Sequence, residues 1–310
     1  MDIALLLANK ITQLTLIVLL GYALVKFNLL KSEESYPLSI IGLYIISPAT
    51  LITAFQIDYS PEIIKGLSLS FVMAILLSGL LILIGKIITP IFKLDNLEHA
   101  ASIYSNSGNL IIPIVASLFG AEWVIYSTGF IVIQNLLFWS HLRILLCGKA
   151  NVSLKNIIFN INILAIILGI FLFAFQIKLP SVISGTLSSL AVMIGPMAMF
   201  VAGMLIASMP IKQIMTNKRI YLVAFLRLIL IPLILLLIIK WLDFPHWIEK
   251  NGEIIAMISF LATISPSAAT VTQMAVVYGQ NAQKASAIYG VTTLLCVITM
   301  PLVIALYQMI

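Results

Sequence analysis

Long apolar stretches separated by short polar ones fill this sequence from one end to the other. The stretch at 228–239, for example, contains no polar side chain. Such runs predict membrane-spanning helices, because a spanning helix needs about 20 apolar residues and a barrel strand alternates in polarity. Charges and turn residues divide the pattern into ten predicted spans, at approximately 4–25, 37–55, 64–89, 98–119, 122–146, 157–177, 182–208, 218–240, 253–277 and 283–308.

The composition excludes a soluble protein. Of the 310 residues, 62% are hydrophobic and 9% are charged, whereas a soluble domain is about 45–50% apolar and about 25% charged. Lipid satisfies no backbone hydrogen bonds, so the spans must be helical or form a closed barrel. The predicted fold class is therefore an all-α membrane protein with ten transmembrane helices, and the lipid bilayer is its first expected partner.

The sequence offers no recognisable chemistry for an enzyme. It has no HExxH metal site, no GxSxG nucleophile elbow and no Walker phosphate loop. The two cysteines, Cys147 and Cys296, show neither metal-ligand nor disulfide spacing. We therefore expect a protein that is not an enzyme and that uses no metal and no cofactor.

The basic residues are distributed unevenly between the two sides of the predicted membrane domain. The loops after odd-numbered spans hold 11 Lys and Arg, the other side holds 5, and Arg227 lies inside span 8, which accounts for all 17. The positive-inside rule places the eleven in the cytoplasm, so both termini of this cell-membrane protein are expected on the non-cytoplasmic side. The basic loops are short and lack interleaved aromatic residues, so nucleic-acid binding is not expected.

The two halves of the sequence carry similar features at matching positions. Leu20-Gly21 corresponds to Leu168-Gly169, and Pro48 corresponds to Pro196, both at an offset of 148 residues. Each half holds five predicted spans, and an odd number gives the halves opposite orientations. A five-plus-five inverted repeat is typical of secondary transporters, whose substrate site lies near the midplane.

Spans 4 and 9, at corresponding positions in the two halves, are interrupted by polar residues. Span 4 contains Asn-Ser-Gly-Asn at 106–109 and then Pro113, and span 9 contains Ser265, Pro266 and Ser267. We expect Pro113 and Pro266 to maintain the two breaks. One new helix is expected to begin after the segment 106–109, and another at Pro266 with Ser265 as its N-cap.

The two interruptions predict a binding site for an anion. A helix that begins in mid-membrane exposes unpaired N–H groups and about half a positive charge. Two such ends that face one cavity favour a phosphate or a carboxylate. Polar side chains near the breaks also serve as interface contacts between helices. The candidate substrate-binding residues are Asn106, Gly108, Asn109, Ser265, Ser267, Thr270 and Gln273.

Arg227 is the only charged residue deep inside a predicted span. It is a further candidate for substrate binding, by contact with a carboxylate. It is also suited to pair with carbonyl groups freed at a broken helix, or to reach the interface as a snorkelling anchor. No Asp or Glu lies in a span interior. A carboxylate-based proton relay or sodium site is therefore not expected.

At the interrupted spans the sequence resembles the auxin efflux carrier family, which includes plant auxin exporters and bacterial malate-permease-like proteins. The family's Asn-x-Gly-Asn-x-Gly-x-Pro motif is matched at Asn106, Gly108, Asn109 and Pro113. Ile111 stands in place of the second motif glycine. In span 9 the family's Pro-x-Ala is matched at Pro266 and Ala268, with Ala269 and Thr270 where many members have an asparagine.

The resemblance implies a specific architecture. It comprises ten helices in a five-plus-five inverted repeat, with the broken helices of spans 4 and 9 crossing each other. Scaffold helices would occupy 1–55 and 151–208, and a moving transport bundle would occupy 56–150 and 209–310. A homodimer through spans 1, 2, 6 and 7 is also implied.

The residues and the resemblance together predict a secondary transporter, either an exporter or a uniporter, for a small organic anion such as a carboxylate. It would work by elevator-type alternating access. A sodium-coupled organic-anion symporter and an anion channel are the alternatives.

Overall fold

The computed structural model describes residues 3–58, 60–148, 159–208, 211–242 and 252–309. Every regular element in this part of the chain is helical, and its one β-type contact is an isolated antiparallel bridge between Ser105 and Ser267. The prediction of an all-α protein is therefore confirmed for the described residues.

The first half of the chain forms eight α-helices. They are α1 (Ile3–Lys26), α2 (Ser35–Ile41), α3 (Ser47–Ala54), α4 (Pro61–Phe92), α5 (Asn96–Ile103), α6 (Ser107–Leu118), α7 (Thr128–Leu137) and α8 (Arg143–Cys147). A 3₁₀ segment at Ala121–Ser127 leads into α7.

The second half forms nine α-helices within the described residues. They are α9 (Ile161–Ala174), α10 (Ser181–Ala191), α11 (Ile194–Ala207), α12 (Ile211–Thr216), α13 (Lys218–Phe225), α14 (Ile231–Leu242), α15 (Gly252–Ile264), α16 (Ala269–Val277) and α17 (Ala282–Met309). Helical segments therefore lie within all ten ranges that the hydropathy pattern predicts.

Within the described residues, six helical stretches are long and apolar enough to cross a membrane, as expected of a multi-pass membrane protein. They are Ser32–Ala54, Pro61–Phe92, Trp123–Cys147, Ser181–Ala207, Lys218–Trp241 and Ala282–Tyr307. Shorter apolar helices occupy Thr15–Lys26, Ile161–Ala174 and Gly252–Ile264.

Three of the long stretches contain a π-helical turn, at Gly42–Ile46, Phe138–Leu142 and Leu226–Leu230. A π-turn disturbs the regular i to i−4 hydrogen-bond ladder and is frequent at functional sites. The Leu43 carbonyl in the first of these turns accepts a hydrogen bond from Asn162 Nδ2 at 2.9 Å. The turn is thereby tied to the start of α9.

Glycines allow neighbouring helices to pack closely in the part of the molecule formed by α1, α3, α9 and α11, and Gly203 in α11 approaches the Val18 carbonyl of α1. A Cβ atom at Gly21 in α1 would collide with the Phe200 backbone in α11. A Cβ atom at Gly169 in α9 would collide with the ring of Phe55, which follows α3. Gly21 and Gly169 are the positions that match between the two halves of the sequence, and each makes the close contact of its helix.

A tight turn connects α4 to α5. Lys93 ends α4 in the left-handed conformation, with φ of 50°. Asp95 then caps α5 by accepting a hydrogen bond from the Glu98 backbone N–H at 2.8 Å, while Glu98 Oε2 accepts one from the Asp95 N–H at 3.1 Å. This reciprocal capping box fixes the direction in which α5 enters the core.

Candidate functional site

Two broken helices cross at the centre of the molecule. The chain is non-helical between α5 and α6 and again between α15 and α16. The two segments run antiparallel: Asn106 N–H donates to the Pro266 carbonyl at 2.8 Å, and Ala268 N–H donates to the Tyr104 carbonyl at 3.0 Å. Each segment thus satisfies backbone groups that the break in the other helix leaves without intrahelical partners.

The crossing brings four helix ends together. The N-termini of α6 and α16 carry partial positive charge, and the C-termini of α5 and α15 carry partial negative charge. The crossing therefore separates charge locally, with cationic and anionic ends supplied by backbone dipoles.

The expected starting points of the two new helices are wrong by a few residues. α6 begins at Ser107, before Asn109, and α16 begins at Ala269 with Ala268 at its N-cap, so that Ser265 is not the cap. The reason is the pairing between the two segments. It holds 266–268 in a non-helical conformation, but it ends at Asn106 and leaves 107–109 free to form the first turn of α6. Capping and proline patterns are local in sequence, so they give no information about a pairing partner that is distant along the chain.

The two prolines also differ in position. Pro266 lies in the crossing, and its carbonyl accepts the hydrogen bond from Asn106. Pro113 lies inside α6, so the helix continues through it and the break precedes it. A proline removes one hydrogen bond and can kink a helix without ending it.

Arg227 lies on the π-turn at Leu226–Leu230 and is completely buried. Its Nε donates to the Ser265 carbonyl at 3.0 Å, and one terminal nitrogen donates to the Ser102 and Ile103 carbonyls, both at 3.3 Å. The other terminal nitrogen bonds the Ser265 carbonyl at 2.8 Å and also the Thr263 carbonyl.

All of these acceptors lie at or just beyond the C-terminal ends of α5 and α15. This arrangement supports the second of the three roles proposed for Arg227, a partner for carbonyls that a helix break frees. Full burial excludes a snorkelling anchor in this conformation. The guanidinium places its positive charge against two partly negative helix ends, and it lies outside the lining of the cavity described next.

A polar cavity of about 50 Å³ lies beside the N-termini of α6 and α16. The broken helices contribute Ser105, Asn106, Ser107, Thr270 and Gln273. Across from them, Ser47 and Thr50 of α3 and Gln134 and Asn135 of α7 complete its polar lining. None of these described lining residues carries a formal charge, so within the lining the N-terminal dipoles of α6 and α16 supply the positive potential.

Gln134 connects α7 to the crossing. It is 4% exposed, and its Nε2 donates to the Ser105 carbonyl at 2.6 Å and to the Ser107 hydroxyl at 3.0 Å. Its Oε1 accepts a hydrogen bond from the Ser105 hydroxyl at 2.7 Å. Gln134 therefore positions the first turn of α6.

The predicted site residues leave out six polar residues of the cavity lining, of which Ser105 and Ser107 flank Asn106 in span 4. Gln134 and Asn135 form a polar pair within apolar span 5, and Ser47 and Thr50 flank Pro48 in span 2. In each case the sequence feature that could have identified the residue as part of a site was a polar side chain inside a predicted span.

Apart from Arg227 and Pro266, which are described above, the predicted binding and helix-break residues divide into three groups. Asn106, Thr270 and Gln273 line the cavity. Ser265 and Ser267 lie in the crossing: the Ser265 hydroxyl donates to the Ala262 carbonyl, and the Ser267 N–H donates to the Thr292 hydroxyl in α17. The backbone at Gly108, Asn109 and Pro113 belongs to α6, and the side chains of Asn109 and Pro113 lie outside the described part of the structure.

Gln273 is the cavity residue with an unused donor. It is 1% exposed, and its Nε2 has no hydrogen-bond partner among the described residues. A Cβ atom at Gly42 would lie 2.6 Å from this nitrogen, so the glycine in the π-turn leaves room for the amide. The described residues contain no group of three His, Cys, Asp or Glu side chains placed to hold a metal ion.

A sequence profile for a family described as membrane transport protein matches residues 6–156 and 149–304 of the chain. The two matches together cover nearly the whole length, including both broken helices and the residues that line the cavity. No curated protein matches the chain at a significant level.

Proposed function

The chain belongs to the membrane transport protein family, which includes the auxin efflux carriers that its motifs resemble, and on this premise we propose that it is a secondary transporter of a small organic anion. The leading substrate class is the carboxylates. We propose further that the protein is an exporter or uniporter of the cell membrane, that it has no enzymatic activity, and that both termini lie on the non-cytoplasmic side.

The observation that carries the choice of an anion is the unused amide donor of Gln273 beside the N-termini of α6 and α16. A buried donor without a partner costs about 1–3 kcal/mol, which a ligand that accepts a hydrogen bond would recover. A carboxylate offers acceptors and also a negative charge that favours the two positive helix ends. The side chains around the bound carboxylate are uncharged, so no direct ion pair holds the substrate and the protein can release it.

We propose that the chain forms ten transmembrane helices in a five-plus-five inverted repeat. The equivalent close contacts of Gly21 and Gly169 support this arrangement. The first joins span 1 to span 7, and the second joins span 6 to span 2, as expected if spans 1 and 2 are related to spans 6 and 7. The crossing of the broken spans 4 and 9 lies between the halves, as in other transporters with such repeats.

Elevator-type movement is the proposed mechanism. The scaffold would comprise α1–α3 and α9–α11, and the transport bundle would comprise α4–α8 and α12–α17. The cavity lies between the two, since Ser47, Thr50 and Ile194 face the broken helices across it. Its volume of about 50 Å³ is small for an organic anion. Substrate entry would therefore require the bundle to move relative to the scaffold.

Flux measurements in liposomes test the proposal. Purified protein should transport a mono- or dicarboxylate with saturable kinetics in the absence of sodium and proton gradients. Gln273→Leu should reduce the flux at low substrate concentration at least about tenfold, because a hydrogen bond to a charged group contributes about 1.5–3 kcal/mol. Gln283→Leu is the control, since this glutamine is exposed and bonds the Ser208 hydroxyl away from the cavity. Equal fluxes for both variants would refute the site, and non-saturating currents would indicate a channel.

Sodium-coupled symport is a second candidate, and one observation favours it. The hydroxyl oxygens of Ser267 and Thr272 are buried beside the crossing without hydrogen-bond partners among the described residues. Unwound segments of broken helices supply oxygen ligands to sodium in other transporters. If carboxylate flux requires a sodium gradient, and Thr272→Val removes that requirement, symport replaces the uncoupled mechanism.

A further inference from the structure

An apolar groove of about 350 Å³ lies between α1 and α17, away from the polar cavity. Its α1 wall includes Thr15, Leu19 and Tyr22, and its α17 wall includes Gly290 and Leu294. Leu19 and Leu294 at the rim are 53% and 55% exposed, whereas Ala287 at the base is 1% exposed. The groove therefore opens sideways, toward the surface that faces the bilayer.

The groove exists because two regular helix faces are held apart. The lining positions 15, 18, 19 and 22 of α1 and 287, 290, 291 and 294 of α17 follow the i, i+3, i+4, i+7 spacing of one helix face. Such faces normally fill the space between them with side chains. Gly290 has no side chain to contribute, and a Cβ atom there would already lie 2.8 Å from Ile206 Cδ1.

One end of the groove carries a positive charge. Lys26, in the last turn of α1, has its Nζ 5.5 Å from the centre of the Tyr22 ring, and that tyrosine lines the groove. The wall from Thr15 to Tyr22 spans seven residues, which is about 10 Å along a helix axis. This length fits within one leaflet, whose apolar part is about 15 Å deep. A ligand with one apolar chain and an anionic head matches both the length and the charge.

We propose that this groove binds one acyl chain of an anionic phospholipid, with the phosphate at Lys26. The apolar walls would hold the chain, and the lysine would select the headgroup by charge. Because the site is separate from the polar cavity, lipid binding does not depend on which substrate the protein transports.

Thermal unfolding of delipidated protein in detergent tests the site. Phosphatidylglycerol should raise the unfolding temperature by several degrees, and phosphatidylcholine with the same chains should raise it less. Gly290→Leu fills the groove and should abolish most of the stabilisation. Gly79→Leu is the matched control, because a Cβ atom at this exposed glycine in α4 meets nothing within 4 Å. If Gly290→Leu fails to fold, Leu294→Trp, which obstructs the rim of the groove, is tested in its place.

The headgroup contact is tested separately. Lys26→Gln should abolish the difference between the two lipids, whereas Lys65→Gln, which changes an exposed lysine at the start of α4, should preserve it. The proposal is overturned if both groove variants respond to phosphatidylglycerol as the parent does, or if the parent does not distinguish the two lipids. It is also overturned if the groove variants change the oligomeric mass, since a second copy of the chain would then occupy the groove.

Discussion

Arg227 illustrates how a charged side chain can be stable in the interior of a membrane protein. Its bonds to the Ser102, Ile103 and Ser265 carbonyls replace the water that the guanidinium loses on burial. The same bonds satisfy backbone groups that lipid would leave unpaired. The same hydrogen bonds thus offset both the cost of burying the charge and the cost of breaking two helices.

Arg227→Met should therefore destabilise the fold before it affects recognition. It removes the donors to several carbonyls, and each buried carbonyl left unsatisfied costs about 1–3 kcal/mol. We expect the unfolding temperature in detergent to fall by many degrees. Arg227→Lys should rescue little, because a compact ammonium cannot reproduce the planar fork of donors. Lys218→Met, at an exposed site in α13, is the control. If Arg227→Met unfolds like the parent and loses only its response to carboxylates, the arginine contacts substrate instead.

Gln134 is a positioning residue by the same reasoning. Gln134→Leu removes all three hydrogen bonds to Ser105 and Ser107 and releases the first turn of α6. We expect the Michaelis constant for carboxylate flux to rise about five- to tenfold with a smaller change in maximal rate, because the N–H groups that face the substrate lose their alignment. Ser140→Ala is the control, since that hydroxyl bonds only within its own helix stretch. A fall in unfolding temperature without a change in the Michaelis constant would limit Gln134 to a structural role.

Among the helices, an ion-pair network around one buried carboxylate joins four elements of the proposed transport bundle. Glu98 in α5 is 1% exposed, and its Oε1 accepts a hydrogen bond from Arg219 Nε in α13 at 3.0 Å. The same oxygen lies 2.7 Å from Lys284 Nζ in α17. Arg219 also donates to the Phe92 carbonyl at the end of α4 at 2.9 Å. The network would let these helices move as one body.

Breaking this network should cost far more than breaking an exposed ion pair. Arg219→Met leaves the Glu98 carboxylate buried with a weaker set of partners, and we expect a loss of about 3 kcal/mol of unfolding free energy. Lys178→Met is the matched control, because Lys178 and Asp58 form an ion pair whose side chains are 73% and 78% exposed. Chemical unfolding in detergent compares the two variants. Similar losses in both would show that the Glu98 network does not hold the bundle together.

The helices themselves were more predictable from sequence than their ends and contacts. The polar interruptions at 106–109 and 265–267 identified the two broken helices, since such residues are poor in an apolar helix. The starts of α6 and α16 were not predictable, because they depend on pairing between segments that are distant in sequence. Glu98 illustrates the same limit: it is the first residue of predicted span 4, nothing in the sequence indicates its burial, and only the approach of Arg219 and Lys284 allows it.

For the whole molecule, the close packing within the proposed scaffold differs from the boundary between scaffold and bundle, which contains two spaces. Close helix packing through Gly21 and Gly203 joins α1 to α11 within the scaffold. The polar cavity and the apolar groove both lie between scaffold and bundle, one at the crossing and the other between α1 and α17. A boundary with two spaces that no protein side chain fills resists relative movement less than a fully packed one does, because fewer contacts between side chains must be broken. This arrangement suits an elevator in which the bundle moves and the scaffold stays in place.

Membrane potential should set the direction and extent of transport if a single anion moves without a coupling ion. Moving one elementary charge through 100 mV changes the free energy by about 2.3 kcal/mol, which corresponds to an equilibrium concentration ratio of about 50 for a monocarboxylate. Liposomes with a potassium diffusion potential, negative inside, should therefore lose a preloaded monocarboxylate until this ratio is approached. Reversing the potential should reverse the net flux, and liposomes without protein should keep their content. A final ratio that ignores the potential and follows an imposed sodium or proton gradient would rule out the uncoupled mechanism.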